Sequence, residues 1–322
     1  MKKNILVTGG AGFIGSNLVE ALLKDERVGK VRVLDNLSTG YLENIQEFMD
    51  NPNFEYLEGD IRDFETCLKA CEGMDLISHQ AALGSVPRSI VDPLTTNAVN
   101  ITGTLNIFTA AKEKSVKRVI YAASSSTYGD SQGLPKVEDK IGNPLSPYAV
   151  TKYVMELYAR VYGNLYGLEH IGLRYFNVFG PKQSPNGAYA AVIPLFMDAI
   201  IKGKRPTING DGSVSRDFTY VDNAVQANIL ALFTENTEGV NQVYNVACGE
   251  RTTLKELWAI LKEVSGSDIE PIYGQPRKGD IPHSLADIGK ILKHLKYKPT
   301  IKCKEGLKMT FDWNTVLKKL NF

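Results

Sequence analysis

The chain is poor in the residues that most often announce chemistry. Histidine and cysteine occur four times each, and tryptophan twice, in 322 residues. Cys67, Cys71, Cys248 and Cys303 contain one close pair, and a separation of four on a predicted helix is no zinc spacing by itself. Reduced, partly buried thiols of a cytoplasmic protein are expected instead. No grouping of His, Cys and Asp has ligand spacing, so no metal is expected, and His79, at the end of a predicted strand, reads as structural. Charge of one sign is also missing: 37 basic residues face 36 acidic ones, scattered along the chain. Without a basic footprint, nucleic acid is not an expected partner. No apolar run approaches the ~20 residues of a membrane span. The opening MKKNILVTGG has three apolar residues before its glycines, short of the roughly 7–15 of a secretory segment. There is no internal repeat and no low-complexity tract.

What is present is a large hydrophobic fraction, 43%, enough for a sizeable core. Short apolar runs recur at Asn4–Thr8, Val31–Asp35, Phe54–Leu57, Leu76–His79, Arg118–Ala122 and Ile171–Arg174. They read as strands buried on both faces. Helical patterns lie between most of them, at Phe13–Leu23, Phe64–Cys71, Pro93–Lys114 and Tyr148–Tyr166. This alternation predicts an α/β fold of the Rossmann type, a doubly wound parallel sheet with helices on both faces. Past Pro181 the pattern loosens. Helices are expected at Ala190–Lys202, Val221–Phe233, Leu254–Val264 and Asp287–His294, between loops rich in Gly and Pro. The expected organisation is a dinucleotide-binding domain over 1–180 and a smaller α+β substrate-binding lobe over 181–322, with possible crossings back to the first.

Two stretches carry chemistry. TGGAGFIG joins the first strand to the first helix, and its glycines fit both G-x-G-x-x-G and G-x-x-G-x-x-G. Glycines admit a pyrophosphate close to the turn, and the helix N-terminus offers N–H donors. Asp35 ends the second strand twenty residues after Gly15, where a carboxylate can hold ribose hydroxyls and repel a 2′-phosphate. Asn36 follows, where an arginine would have favoured the phosphate. NAD is the expected cofactor. Further on, Tyr148 and Lys152 share a helix face at i and i+4. An ammonium near a phenol favours the phenolate and lowers its pKa. That would make the tyrosine a usable base at neutrality. Tyr-x-x-x-Lys is common by chance, but YAASSSTYG adds hydroxyls at the carboxyl end of the fifth predicted strand, where open α/β sheets bind ligands.

TGGAGFIG, HQAA, SSSTYG, PYAVTKY and RYFNVFGP, in this order, resemble the extended short-chain dehydrogenase/reductases that act on nucleotide sugars. GSVPRSIVDP, ASSSTYGD, SPYAVTKY, NGAYAAVIP, SRDF and HSLADI resemble more closely the UDP-N-acetylglucosamine 4-epimerases. The resemblance implies an isomerase that interconverts UDP-GlcNAc and UDP-GalNAc, with UDP-Glc and UDP-Gal as further substrates, by transient oxidation at sugar C4 with tightly bound NAD. It implies Ser124, Tyr148 and Lys152 as catalytic residues. For NAD it implies Gly9, Gly12, Phe13, Ile14, Gly15, Asp35, Asn36, Ser38, Thr39 and Gly40, then Asp60, Ile61, Gln80, Ala81, Ala82, Asn100, Tyr175 and Val178, with Tyr148 and Lys152. For the UDP-sugar it implies Gly84, Ser85, Ser124, Ser125, Ser126, Tyr148, Asn177, Gln183, Ala191, Val192, Asn209, Arg216, Arg277, Asp280 and Ser284. Related 4,6-dehydratases carry an Asp–Glu pair where this chain has Ser125 and Ser126, and related decarboxylases carry a glutamate there. A UDP-glucuronate or plain UDP-galactose 4-epimerase is the alternative within the family; an NAD-binding sensor is the alternative outside it. The resemblance also implies a homodimer, packed through the Pro93–Lys114 and Tyr148–Tyr166 helices.

Overall fold

The computed structural model describes residues 1–186, 190–276 and 282–320. The core is a seven-stranded, wholly parallel sheet. Six strands are those read from the sequence: β1 (Lys3–Thr8), β2 (Val28–Asp35), β3 (Phe54–Glu58), β4 (Leu76–His79), β5 (Arg118–Ser124) and β6 (Glu169–Tyr175). Short strands β7 (Val178–Phe179), β8 (Thr207–Asn209), β9 (Ser215–Arg216) and β10 (Thr219–Tyr220) follow. The seventh sheet strand is β11 (Gln242–Val246); β12 (Thr252–Thr253) and β13 (Ile272–Gly274) are again short. The sheet order β11-β6-β5-β4-β1-β2-β3 reverses direction at β1 and β4. At such a switch point the connections leave on opposite faces and open a crevice at the strand carboxyl ends.

The helices are α1 (Phe13–Leu23), α2 (Phe64–Cys71), α3 (Val86–Val91), α4 (Pro93–Asn97), α5 (Thr104–Glu113), α6 (Pro147–Tyr166), α7 (Val192–Ile201), α8 (Val221–Phe233), α9 (Leu254–Ser265), α10 (Gly289–Leu295) and α11 (Cys303–Leu320). The single helix expected over Pro93–Lys114 is interrupted. A π-helical segment, Ala98–Gly103, separates α4 from α5. One apolar cluster covers one sheet face with α1 and α8; a second covers the other with α2, α5 and α6.

The second half of the chain re-enters the sheet. Strand β11 pairs with β6 over Gln242–Val246, and α8 lies against the sheet with Asn228 bonding Ser78 and Tyr175. The sequence reading placed no strand at β11. Its pattern, QVYNV, is short and carries two amides, and Asn245 is buried only because its side chain finds the carbonyls of Lys136 and Asp287.

Candidate active site

Local chemistry starts α6 where it starts. Ser146, in extended conformation, accepts the N–H of Ala149 at 3.1 Å, and Pro147 takes the first helical position, where no donor is needed. The helix ends at Gly167 in the left-handed region. Lys152 is buried, and its Nζ donates to the carbonyl of Ala122 at 2.7 Å and stands 5.8 Å from the centre of the Tyr148 ring. Burial pulls the lysine down to about 8. The Tyr148 phenol corrects the sequence reading. Burial pushes it up, and the force drawing it back is a hydrogen bond from Ser124. The lysine spends its bond on a backbone carbonyl, so it acts on the phenol only at a distance.

Ser124 is the last residue of β5 and caps a tight 3-10 turn, Ser125–Tyr128. Its Oγ accepts the N–H of Ser126 at 3.2 Å and the hydroxyl of Ser126 at 2.9 Å.

A cleft of about 620 Å³ runs across the carboxyl ends of the sheet strands. Its long wall holds Gly9, Gly12, Phe13, Ile14, Gly15, Asp35, Asn36, Ser38, Thr39, Gly40, Asp60, Ile61, Gln80, Ala81, Ala82, Lys152, Tyr175 and Val178. Gly9 has φ +69, and a Cβ there would fall 2.6 Å from the Ala81 nitrogen. A Cβ at Gly15 would fall 2.1 Å from the Gly9 carbonyl oxygen, so only glycine lets α1 approach the turn. No side chain caps α1, whose first-turn residues line the cleft. Asp35 Oδ2 accepts from the Ala11 N–H and Oδ1 from the Leu37 N–H, both at 2.9 Å; burial pushes its carboxyl up against them. Asp60 is held at about 2 by its hydrogen bonds to Arg62, against the opposing pull of burial, and it also accepts from Asn36. Asn100 does not reach the wall. It lies buried behind it, its amide joined to both backbone groups of Leu83 and to Thr151 Oγ1. There it steadies the loop before Gly84 and the neighbour of Lys152.

The other end is formed by Gly84, Ser85, Ser124, Tyr148, Asn177, Gln183 and Ala191. Ser85 (φ 108) and Asn177 (φ 38) hold positive φ without being glycine, and backbone strain of this kind concentrates at functional sites. Ser125 and Ser126 leave the wall because the 3-10 turn carries them past it. Val192 is the first residue of α7, behind Ala191, and Asn209 belongs to β8. Arg216 donates to the carbonyls of Ser215 and Pro282, and the Ser284 N–H donates to Ser215. These two lie together but off the described cleft wall. Arg277 and Asp280 lie outside the described residues.

Sequence reasoning overlooked Asp217, the residue after Arg216. It is fully buried and accepts the N–H groups of Cys248, Gly249 and Ala286; burial pushes it up to about 6. Its carbonyl accepts from Asn177 Nδ2 at 3.0 Å. It thereby ties the Ser284 segment to the cleft. Arg88, Leu83, Val99 and Asn186 also line the cleft and were not singled out. Loop walls of this kind leave no periodic signal. His79 is structural as read: burial drives it down to about 3, and its ring bonds Thr8 and Thr104. Among the described residues no group of three or more His, Cys, Asp or Glu could hold a metal.

The cleft fits a dinucleotide. Uncapped helix amides stand beside glycines at one end, with a buried carboxylate at the ribose position.

Comparison with known proteins agrees. Residues 5–247 match the model of the NAD dependent epimerase/dehydratase family. A putative UDP-glucose 4-epimerase of Methanocaldococcus jannaschii is 39% identical over 96% of this chain and 97% of its own. The structure of the Methanobrevibacter ruminantium UDP-N-acetylglucosamine 4-epimerase, in complex with UDP-N-acetylmuramic acid, is 43% identical with a TM-score of 0.93, over 98% of this chain and 100% of that one. The Bacillus cereus UDP-glucuronic acid 4-epimerase, in complex with UDP-glucuronic acid and NAD, is 32% identical with a TM-score of 0.90, over 98% and 99%. Glycine turn, Asp35, Tyr148 and Lys152 sit on one cleft, and the match spans most of the chain: it belongs to the NAD-dependent epimerase/dehydratase family.

Proposed function

We propose that this chain is an NAD-dependent UDP-sugar 4-epimerase acting on UDP-GlcNAc and UDP-GalNAc, with residues 1–180 mainly holding NAD and 181–322 mainly the UDP-sugar. One observation carries epimerisation over dehydration. Eliminating water needs a carboxylate acid/base pair near the sugar, and among the described residues the acids lining the cleft are Asp35 and Asp60, at the far end from Tyr148. The near end offers hydroxyls: Ser85, Ser124 and Tyr148.

Asp35 and the α1 amides would hold the dinucleotide, with Gln80, Tyr175 and Lys152 further along the cleft. When bound, NAD supplies a reversible hydride acceptor. Tyr148 takes the proton from the sugar 4-hydroxyl and later returns it to the same oxygen, after the 4-keto sugar has turned to present the other face of C4. Ser124 hydrogen-bonds the reacting oxygen and the phenol. Lys152, charged below about 8, biases the phenol towards phenolate while anchored on Ala122. Redox at C4 is reversed within each turnover, so no cofactor need leave.

The N-acetylated substrate rests on Ser284 and on the likeness to the M. ruminantium enzyme. By the resemblance, a serine at that position leaves room for a C2 acetamide. UDP-glucuronate is the second reading, supported by the likeness to the B. cereus enzyme. The test is to incubate the protein with UDP-GlcNAc, UDP-GalNAc, UDP-glucose and UDP-glucuronate and follow epimers by NMR. Conversion of UDP-glucuronate alone would overturn the N-acetylhexosamine reading. A second copy of the chain is the proposed partner, seated on the apolar face where Ile90, Val91 and Leu94 of α3 and α4, which pack on α6, are exposed. Leu94 is 82% and Val91 74% exposed there, an apolar patch of the kind that marks an interaction surface.

A further inference from the structure

The sequence reading assigns Ser126 to the sugar, yet its side chain is turned to Ser124. A serine oxygen has two lone pairs and one hydrogen. At Ser124 the N–H of Ser126 arrives at 3.2 Å and the hydroxyl of Ser126 at 2.9 Å. Both acceptor sites of Ser124 are thereby filled by one residue. Its own hydrogen has to be given away, and it lies on the cleft wall beside Tyr148.

We propose that Ser126 is a positioning residue that polarises Ser124, fixing its single hydrogen as a donor towards the Tyr148 oxygen. A donor stabilises phenolate over phenol. Lys152 stands off from this oxygen: its Nζ bonds the Ala122 carbonyl and lies 5.8 Å from the centre of the Tyr148 ring. The 3-10 turn at Ser125–Tyr128 is what brings residue 126 back over residue 124. A longer or more open turn would point Ser126 at substrate and leave Ser124 free to rotate. The inference rests on the proposed reading of Tyr148 as proton acceptor.

The test uses the NAD-bound protein and UDP-GlcNAc. Ser126→Ala should lower kcat at neutral pH roughly 3- to 10-fold, the worth of one hydrogen bond expressed in rate. KM should stay within about twofold, because no substrate contact is lost. The rising limb of the kcat–pH profile should move to higher pH, so the variant regains rate in alkaline buffer. Ser126→Thr, which keeps the hydroxyl, should restore both. A KM increase with the pH limb unmoved would make Ser126 a sugar contact and overturn the proposal, as would an unchanged profile with unchanged rate. Tyr148→Phe separates the two levels. If that variant stays active, the proton-acceptor reading fails and the role of Ser126 with it; if it is inactive while Ser126→Ala behaves as wild type, only the positioning role fails.

Discussion

At Tyr148 two effects compete, and their balance decides the chemistry. Burial raises the phenol, and the Ser124 hydrogen bond lowers it. Tyr148→Phe removes the proposed proton acceptor and leaves the ring, so fold and NAD binding should persist while turnover falls about 10²–10⁴-fold. NMR detection of epimer formation checks this. Lys152 gives a prediction about stability. Its folded value is lowered to about 8 by burial, below the ordinary lysine value of ~10.4. Between those values the unfolded chain binds more protons than the folded one, so the folded state gains as pH rises through that window. Below about 8 the full cost of burying the charge remains, on the order of 3 kcal/mol. Lys152→Met removes the titrating group at every pH. Wild type, freed of NAD, should therefore gain stability relative to Lys152→Met between pH ~7 and ~10. Urea midpoints of both proteins across that range decide it, and parallel curves would reject the assignment.

Helix α6 carries Tyr148 and Lys152, the proposed catalytic pair, and a buried ion pair holds its register. Glu156, one turn beyond Lys152, receives Arg174 of β6 through two hydrogen bonds of 2.8 and 2.7 Å. The two side chains are 3% and 4% exposed. Arg174 also lies 4.8 Å over the ring of Tyr128, the last residue of the turn after Ser124, and donates to the Glu138 carbonyl. Glu156→Gln leaves a buried guanidinium without its counter-charge. The expected loss is about 3–5 kcal/mol, read from urea unfolding. Replacing both residues by leucine should cost less than that single change, because no charge is then stranded. The interruption at Ala98–Gly103 has a comparable local purpose. The wider turn sets Asn100 against Leu83 and Thr151.

For the whole molecule, the proposed reading makes the relation between the two ends of the chain the determinant of substrate choice. The Ser284 segment is tied towards the cleft through Ser215 and Asp217. Ser284→Tyr should reduce kcat/KM for UDP-GlcNAc and UDP-GalNAc by about 5- to 150-fold, the rate equivalent of overfilling a pocket. UDP-glucose should be spared. Equal losses on both sugar classes would remove Ser284 from specificity. The exposed stripe on α3, α4 and α6 yields the last expectation. Leu94→Glu places a charge in the proposed contact, so size-exclusion chromatography should show a smaller species than wild type, with the circular dichroism spectrum unchanged.

The alternation of buried strands with amphipathic helices determined six of the seven sheet strands, because each strand is apolar on both faces and each helix on one. The glycine turn, Asp35 and the Ser146–Pro147 start of α6 were legible for the same reason: their chemistry is local, set by backbone geometry within a few residues. What tertiary structure alone decided is everything that depends on partners distant in the chain. Strand β11 exists because β6 offers an edge and Lys136 and Asp287 offer carbonyls to Asn245. Asn100 left the cleft wall because Leu83 and Thr151 claimed its amide. Lys152 turned from the phenol because Ala122, thirty residues earlier, presented a carbonyl in a place where water is excluded and a buried ammonium must be bonded.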